Sequence, residues 1–230
     1  LLMVPALRRP QAMDTLLARL VPASRRRPCL GGCRTLCQAW WPGSPQQRLR
    51  TRSVALGRQA QVQARHAATP EAVEKVLAHV DAHLDESLER LMGLLRLQSI
   101  STDPAFKAEC DRTADWLVDE LAEMGFDAAK HTTPGHPMVV AHDDEGEGFH
   151  VLFYGHYDVQ PVDPLNLWAR DPFDPAIEDL GHGRRVIRGR GAADDKGQLM
   201  TFVEACRAWQ AVHGTLPIKV SMFFEGEEES

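Results

Sequence analysis

Two short apolar runs, His150–Tyr154 and Ile218–Phe224, constrain this chain more than any other feature. Each runs straight into charge. The first passes through Gly155 into His156-Tyr157-Asp158, and the second into Glu225-Gly226-Glu227-Glu228-Glu229. An apolar run of about four to eight residues closed by turn signals reads as a buried strand. Polar clusters at the ends of such strands lie where open α/β sheets gather their ligands.

The segments between these runs read as helices and hairpins. Thr69-Pro70 supplies a capping residue and a first-turn proline. Val73, Val76, Leu77, Val80, Leu84, Leu88, Leu91 and Leu95 then recur at three- and four-residue steps, which predicts one long helix with an apolar face. Gln98–Asp103 reads as a polar loop ending at Pro104. A second helix is expected over Ala108–Met124, with Cys110, Leu117, Leu121 and Met124 inward and Gly125 as the stop. Phe126–His131 and Met138–His142 carry strand signals, and Asp143–Gly148 is turn chemistry. Ile177–Arg190 reads as a hairpin around Gly181-His182-Gly183, and Lys196–His213 as a helix. Helices alternating with short apolar strands predict a layered α/β domain with a mixed sheet. No internal repeat is present.

Charge divides the chain in two. Residues 1–70 hold twelve Arg, no Lys and one acid, Asp14, for a net +11, which leaves −17 on the rest. So acidic a body argues against a nucleic-acid surface, since phosphates demand a basic patch. It suits metal binding, which consumes carboxylates. No apolar run approaches the roughly 20 residues needed to cross a bilayer. Residues 1–68 read as a basic leader without sustained periodicity, apart from a helix-like piece at Met13–Val21. Translated upstream sequence, an organellar transit peptide and a basic arm are the three readings of that leader. Cys29, Cys33 and Cys37 lie in it with no fourth partner nearby and read as unstructured thiols rather than a zinc knuckle. Only Cys110 and Cys206 fall in the body, so no disulfide framework is expected and a reducing, cytoplasmic compartment is (organellar if the leader is a transit peptide).

Three clusters carry the candidate chemistry. In extended backbone, residues two apart point the same way, so His156 and Asp158 can share one face of a site. A metal-ligating imidazole usually gives its second ring nitrogen to a carboxylate or carbonyl; a polar loop is the bland alternative. In Arg190-Gly191-Ala192-Ala193-Asp194-Asp195-Lys196-Gly197, two acids sit at the entry of a helix. The helix dipole alone would favour acids there; a carboxylate bridging two metals is the functional reading. This turn fits neither phosphate-loop nor dinucleotide spacing, and its acids would repel a phosphate. The four carboxylates of Glu225–Glu229 repel one another unless water or cations neutralise them.

Taken together and in order, His156-Tyr157-Asp158-Val159-Gln160-Pro161, Gly189–Gly197 and Glu225–Ser230 resemble the three successive signatures of the carnosinase/aminoacylase family of di-zinc metallopeptidases. The resemblance covers roughly residues 70 to 230. It implies a layered α/β/α zinc-peptidase fold, with residues 69–230 as the N-terminal portion of the catalytic domain. It implies two Zn2+ (Mn2+ or Co2+ would also suit these ligands), with His156 on one, Glu229 on the other and Asp194 bridging both. Asp158 would orient His156, and Glu228 would act as general base on a metal-bridging water. Asp195 matches the position after the bridging acid, which in the family often follows a cis peptide bond.

Tyr157, Gln160, Trp168 and Asp171-Pro172-Phe173 resemble the dipeptidase branch, so a small peptide is the expected substrate; an N-acyl amino acid, or a non-catalytic binding role, is the alternative. Trp168 and Phe173 also read simply as core caps. The family pattern continues with a further Asp, a late His and an inserted lid domain that often dimerises, all beyond Ser230. The 230-residue stretch alone is therefore expected to bind zinc weakly and to hydrolyse nothing, with a homodimer expected for the full-length protein.

Overall fold

The computed structural model describes residues 2–4 and 68–230. The expectations for Met13–Val21 and for Cys29, Cys33 and Cys37 fall outside the described residues. Leu2–Val4 forms strand β1. The body opens with helix α1, Pro70–Ala82, where Thr69 Oγ1 accepts a hydrogen bond from the Ala72 N–H at 3.2 Å. The expected single helix to Leu95 is broken at His83, whose φ of −118° and ψ of 20° leave the helical region, and α2 follows as Leu84–Leu95. The His83 Nδ1 lies 2.8 Å from the His79 carbonyl, which also accepts the His83 backbone N–H at 3.0 Å, and the two imidazoles stack at 4.0 Å. A short 3-10 turn, Pro104–Phe106, is capped by Asp103 and leads into α3, Lys107–Glu123. Cys110, Leu117 and Leu121 are buried as the periodicity predicts, and Gly125 ends the helix at a φ of 86° that favours glycine.

The main sheet has the order β2-β3-β7-β4, from strands β2 (Asp127–His131), β3 (Met138–Asp143), β4 (His150–His156) and β7 (Lys219–Glu225). β3 pairs antiparallel with both β2 and β7, while β4 pairs parallel with β7. The sheet is therefore mixed, as expected. Strands β5 (Ala176–Asp179) and β6 (Arg185–Arg188) form the expected hairpin, with positive φ at Gly181, His182 and Gly183, and β1 pairs with β6. Helix α4, Lys196–His213, matches its expected bounds.

Register shows how the layers meet. Ala141, Met222 and Phe153 are neighbours on one face of the sheet, and Phe153 stacks on Phe202 of α4 at 4.0 Å. On the opposite face His142, Ser221 and Leu152 are in register, and Leu152 is 69% exposed. The run His150–Tyr154, read as buried on both faces, thus alternates exposed and covered, because α4 covers one of its faces among the described residues.

Helix α4 is tied in at both ends of its role. The Arg90 guanidinium meets Glu204 at 2.7 Å, and Arg207 meets Glu120 at 2.6 Å, joining α4 to α2 and α3. Burial pushes the Glu204 carboxyl up, but Arg90 and Ser87 outweigh it and hold it below its ordinary value. At the start of α4 the fully buried Lys196 donates to the carbonyls of Leu94 (3.2 Å) and Leu97 (2.6 Å), tying the helix to the end of α2.

Candidate metal centre

Parallel pairing of β4 with β7 explains why clusters seventy residues apart in sequence meet. His156 is in register with Glu225, so both strands release their polar tails at one edge of the sheet. The Tyr157 N–H donates to the Glu225 carbonyl at 2.9 Å and continues that alignment past the strand ends. Helix α4 starts beside the same edge: a Cβ on Gly155 would lie 3.1 Å from Asp195 Oδ2, a tight contact that glycine avoids. Gly191, at a φ of 80°, turns the chain so that Asp194 and Asp195 precede the helix, and the Asp194–Asp195 peptide is cis.

At that edge His156, Asp194 and Glu229 each present one ligand atom, all within 4.8 Å of one another. His156 Nε2 lies 3.3 Å from Asp194 Oδ1 and 3.9 Å from Glu228 Oε2. Its Nδ1 lies 3.3 Å from Asp158 Oδ1 on the other side. One ring nitrogen thus faces the acids while the other is held by a buried carboxylate, the arrangement of an oriented metal-ligating imidazole. Asp158 is fully buried and also accepts from the backbone N–H groups of Glu228 (3.3 Å) and Glu229 (3.0 Å). It therefore fixes the ring and the acidic loop together.

The electrostatics fit a cation. Burial works against charge on His156, but Asp158 and the neighbouring acids outweigh it and push the pKa up to about 9. Burial raises Asp158 too, yet His156 and the Glu229 amide hold it below the ordinary carboxylate value. Asp195 moves the other way, raised chiefly by burial. His156 is buried while the Asp194 side chain is 74% exposed. The donor set of one imidazole and two carboxylates, open on one side, suits Zn2+, Mn2+ or Co2+.

All five site residues read from the sequence, His156, Asp158, Asp194, Glu228 and Glu229, meet at this edge. Others were missed. Asp195 Oδ2 accepts from the His156 N–H at 3.2 Å, and Gln160 Nε2 donates to Glu229 Oε2 at 2.5 Å, so both brace ligands. Ser99, on the loop after α2, donates to the Tyr157 carbonyl at 2.6 Å. No local signal marks Ser99, because its partner lies far along the chain. Tyr157 is fully buried and donates to the Pro137 carbonyl at 2.6 Å, and Gly226 packs on its ring, where a Cβ would come within 2.3 Å of the phenol oxygen. Phe173 packs with Ile100 and Val159 as a core residue.

An α/β body that gathers a histidine and carboxylates beyond its strand ends is the build of a metallohydrolase. Residues 152–230 match the family described as Peptidase family M20/M25/M40. It is 30% identical over 168 residues to the Cys-Gly metallodipeptidase of Schizosaccharomyces pombe, covering 68% of this chain and 34% of that protein. It is 33% identical over 146 residues to a succinyl-diaminopimelate desuccinylase of Marinobacter nauticus, covering 64% of this chain and 36% of that one. The structure superposes on that of human carnosine dipeptidase 1 with a TM-score of 0.63 at 30% identity, covering 71% of this chain and 36% of the human one. The chain spans about a third of the length of these relatives.

Proposed function

We propose that the protein is a metal-dependent dipeptidase that cleaves the amide bond of a small peptide. The convergence of His156, Asp194 and Glu229 within 4.8 Å, with Glu228 beside them, carries the reading. His156 and Glu229 would each hold one of two Zn2+ ions, and Asp194 would be shared. When bound, the ions supply Lewis-acid polarisation of the scissile carbonyl and acidify water. Asp158 keeps His156 Nε2 aimed at the cluster and anchors the amides of Glu228 and Glu229. Glu228 Oε2 takes the proton from the attacking water and passes it to the leaving amine, a base-then-acid role; its side chain is 47% exposed.

His156, Glu229 and Asp194 give each ion one ligand of its own plus one shared, fewer than the three protein ligands such sites use. The resemblance supplies a further Asp and a late His, so turnover is assigned to the full-length protein, as a homodimer, and not to residues 1–230 alone. The buried free thiols Cys110 and Cys206 favour a reducing, cytoplasmic setting. No helix among the described residues is long and apolar enough to cross a membrane. Similarity to a desuccinylase supports a second reading, an N-acyl amino acid as substrate. The test is hydrolysis of a dipeptide panel and an N-acyl amino acid panel by the full-length protein. Activity should vanish on chelation and return with Zn2+, greatest on dipeptides. Undiminished hydrolysis in excess chelator would rule out the metal mechanism.

A further inference from the structure

At the end of the sheet away from the metal centre, two imidazoles converge on one hydroxyl. Ser221 lies on β7, which runs between β3 and β4, and those two strands supply His142 and His150. Ser221 Oγ is 2.7 Å from His142 Nδ1 and 2.6 Å from His150 Nε2. His142 sits directly across from Ser221, while His150 reaches it diagonally from beside Lys219. Backbone contacts hold this placement. The Lys219 N–H donates to the Phe149 carbonyl at 3.1 Å, just before His150. Gly146 lets the connecting loop close on the start of β7, since a Cβ there would lie 2.2 Å from the Ile218 carbonyl carbon. β4 runs from His150 to His156, which puts roughly 20 Å of extended strand between this cluster and the metal centre.

A hydroxyl carries one hydrogen, so it cannot donate to both rings, and one of the two bonds is given by an imidazole N–H. With their protons on the far nitrogens, the two neutral rings instead aim lone pairs at a common point. Imidazole nitrogens so placed suit Zn2+, Cu2+ and Ni2+. Ligand atoms about 2.0–2.1 Å from such an ion lie roughly 3 Å apart when set at right angles. The two nitrogen–oxygen separations therefore need to open by only a few tenths of an ångström. His142 and His150 are exposed and have room to tilt, while Ser221 is buried and stays fixed. The loop between the histidines, Asp143–Phe149, carries four carboxylates, which draw cations to this end of the sheet. The nearby cation Lys219 is met by Asp144 at 3.9 Å. We propose that His142, His150 and Ser221 form a second metal site, apart from the hydrolytic centre, for a late divalent transition cation. The imidazoles are two ligands and the Ser221 hydroxyl the third, so the bound ion ties β3 to β4 across β7. The assignment does not depend on the hydrolase reading.

The experiment titrates zinc-loaded full-length protein with Cu2+, the ion that such ligands hold most tightly, and reads electron paramagnetic resonance. Wild type should bind one Cu2+ whose hyperfine splitting reports two nitrogens and which the double variant His142→Gln/His150→Gln does not bind. Either single variant should leave one coupled nitrogen and weaken Cu2+ at least about 10-fold. Ser221→Ala should keep both nitrogens and weaken the ion less than either histidine variant does. Both histidines are exposed, so their replacement spares the core, and the nitrogen count in wild type tests the ligand set without any variant. Copper that binds the double variant as it binds wild type, including copper that merely replaces zinc in the hydrolytic centre, overturns the proposal. Failure of wild type to bind Cu2+ overturns it equally.

Discussion

Replacing Asp158 by Asn probes the group on which the site is hung. The native carboxylate is fully buried and faces three donors: His156 Nδ1 at 3.3 Å, the Glu228 N–H at 3.3 Å and the Glu229 N–H at 3.0 Å. Asparagine keeps one acceptor oxygen and turns an NH2 toward donors. At least one buried donor then loses its partner, at about 1–3 kcal/mol, and the surviving bonds lose their charge assistance. A net loss of about 2–4 kcal/mol follows, or roughly 4–16 °C in Tm for a protein in this size range. Zn2+ affinity should fall about 10- to 100-fold, since the ring is no longer aimed. The pH dependence has a definite sign. Asp158 is held below its ordinary value of 3.8 in the folded state, so its contribution is complete above that pH and fades as pH falls through the lowered value. The gap between wild type and Asp158→Asn should therefore narrow below 3.8, and also as pH rises through about 9, where His156 gives up the proton that Asp158 stabilises. Thermal unfolding across pH and Zn2+ competition against a chromogenic chelator measure both effects. A variant that melts within about 1 °C of wild type and binds Zn2+ equally well would refute the reasoning.

Two further substitutions test other joints of the site. Gly226→Ala places a Cβ within 2.3 Å of the Tyr157 hydroxyl, which is packed in the core, so the acidic loop must shift. Metal affinity should fall more steeply than Tm, and an unchanged affinity would show that the loop tolerates the side chain. Burial pulls the Lys196 pKa from 10.5 down to about 7, so between pH 7 and 10.5 the unfolded chain binds the additional proton and the Lys196 contribution rises with pH. His156, held at about 9 by its acids, works in the opposite sense. Wild type minus Lys196→Met isolates the lysine: that difference should grow in favour of wild type from pH 7 to 9, by up to about 1.4 kcal/mol per pH unit. Above 9 the buried thiol of Cys110, raised to about 11, begins to contribute in wild type and variant alike. A flat difference from 7 to 9 in urea titrations would contradict the assignment.

Much of this was legible in the residues, for physical reasons that can be named. α4 matched its expected bounds because its acidic entry and the Gly214 stop are both local signals. The three clusters were legible because each follows a recognisable strand or begins a recognisable helix. The break at His83 was not, since the apolar periodicity runs through it without interruption. Nor did local pattern show that Leu152 would be exposed, because which face of β4 is covered depends on where α4 lands. Gln160 was read as a marker of substrate class, but the structure uses it to brace Glu229, a contact between residues 69 apart. Asp195 was noted only for its position; its hold on the His156 amide arises from the close approach at Gly155.

The most direct test of the central claim separates holding the metal from moving the proton. Full-length wild type and Glu228→Gln would be compared for Zn2+ content by elemental analysis and for dipeptide turnover. The account predicts equal metal content, because Glu228 is not among the three converging ligands, with turnover reduced at least about 100-fold. Wild-type turnover in Glu228→Gln, or loss of metal along with activity, would contradict it.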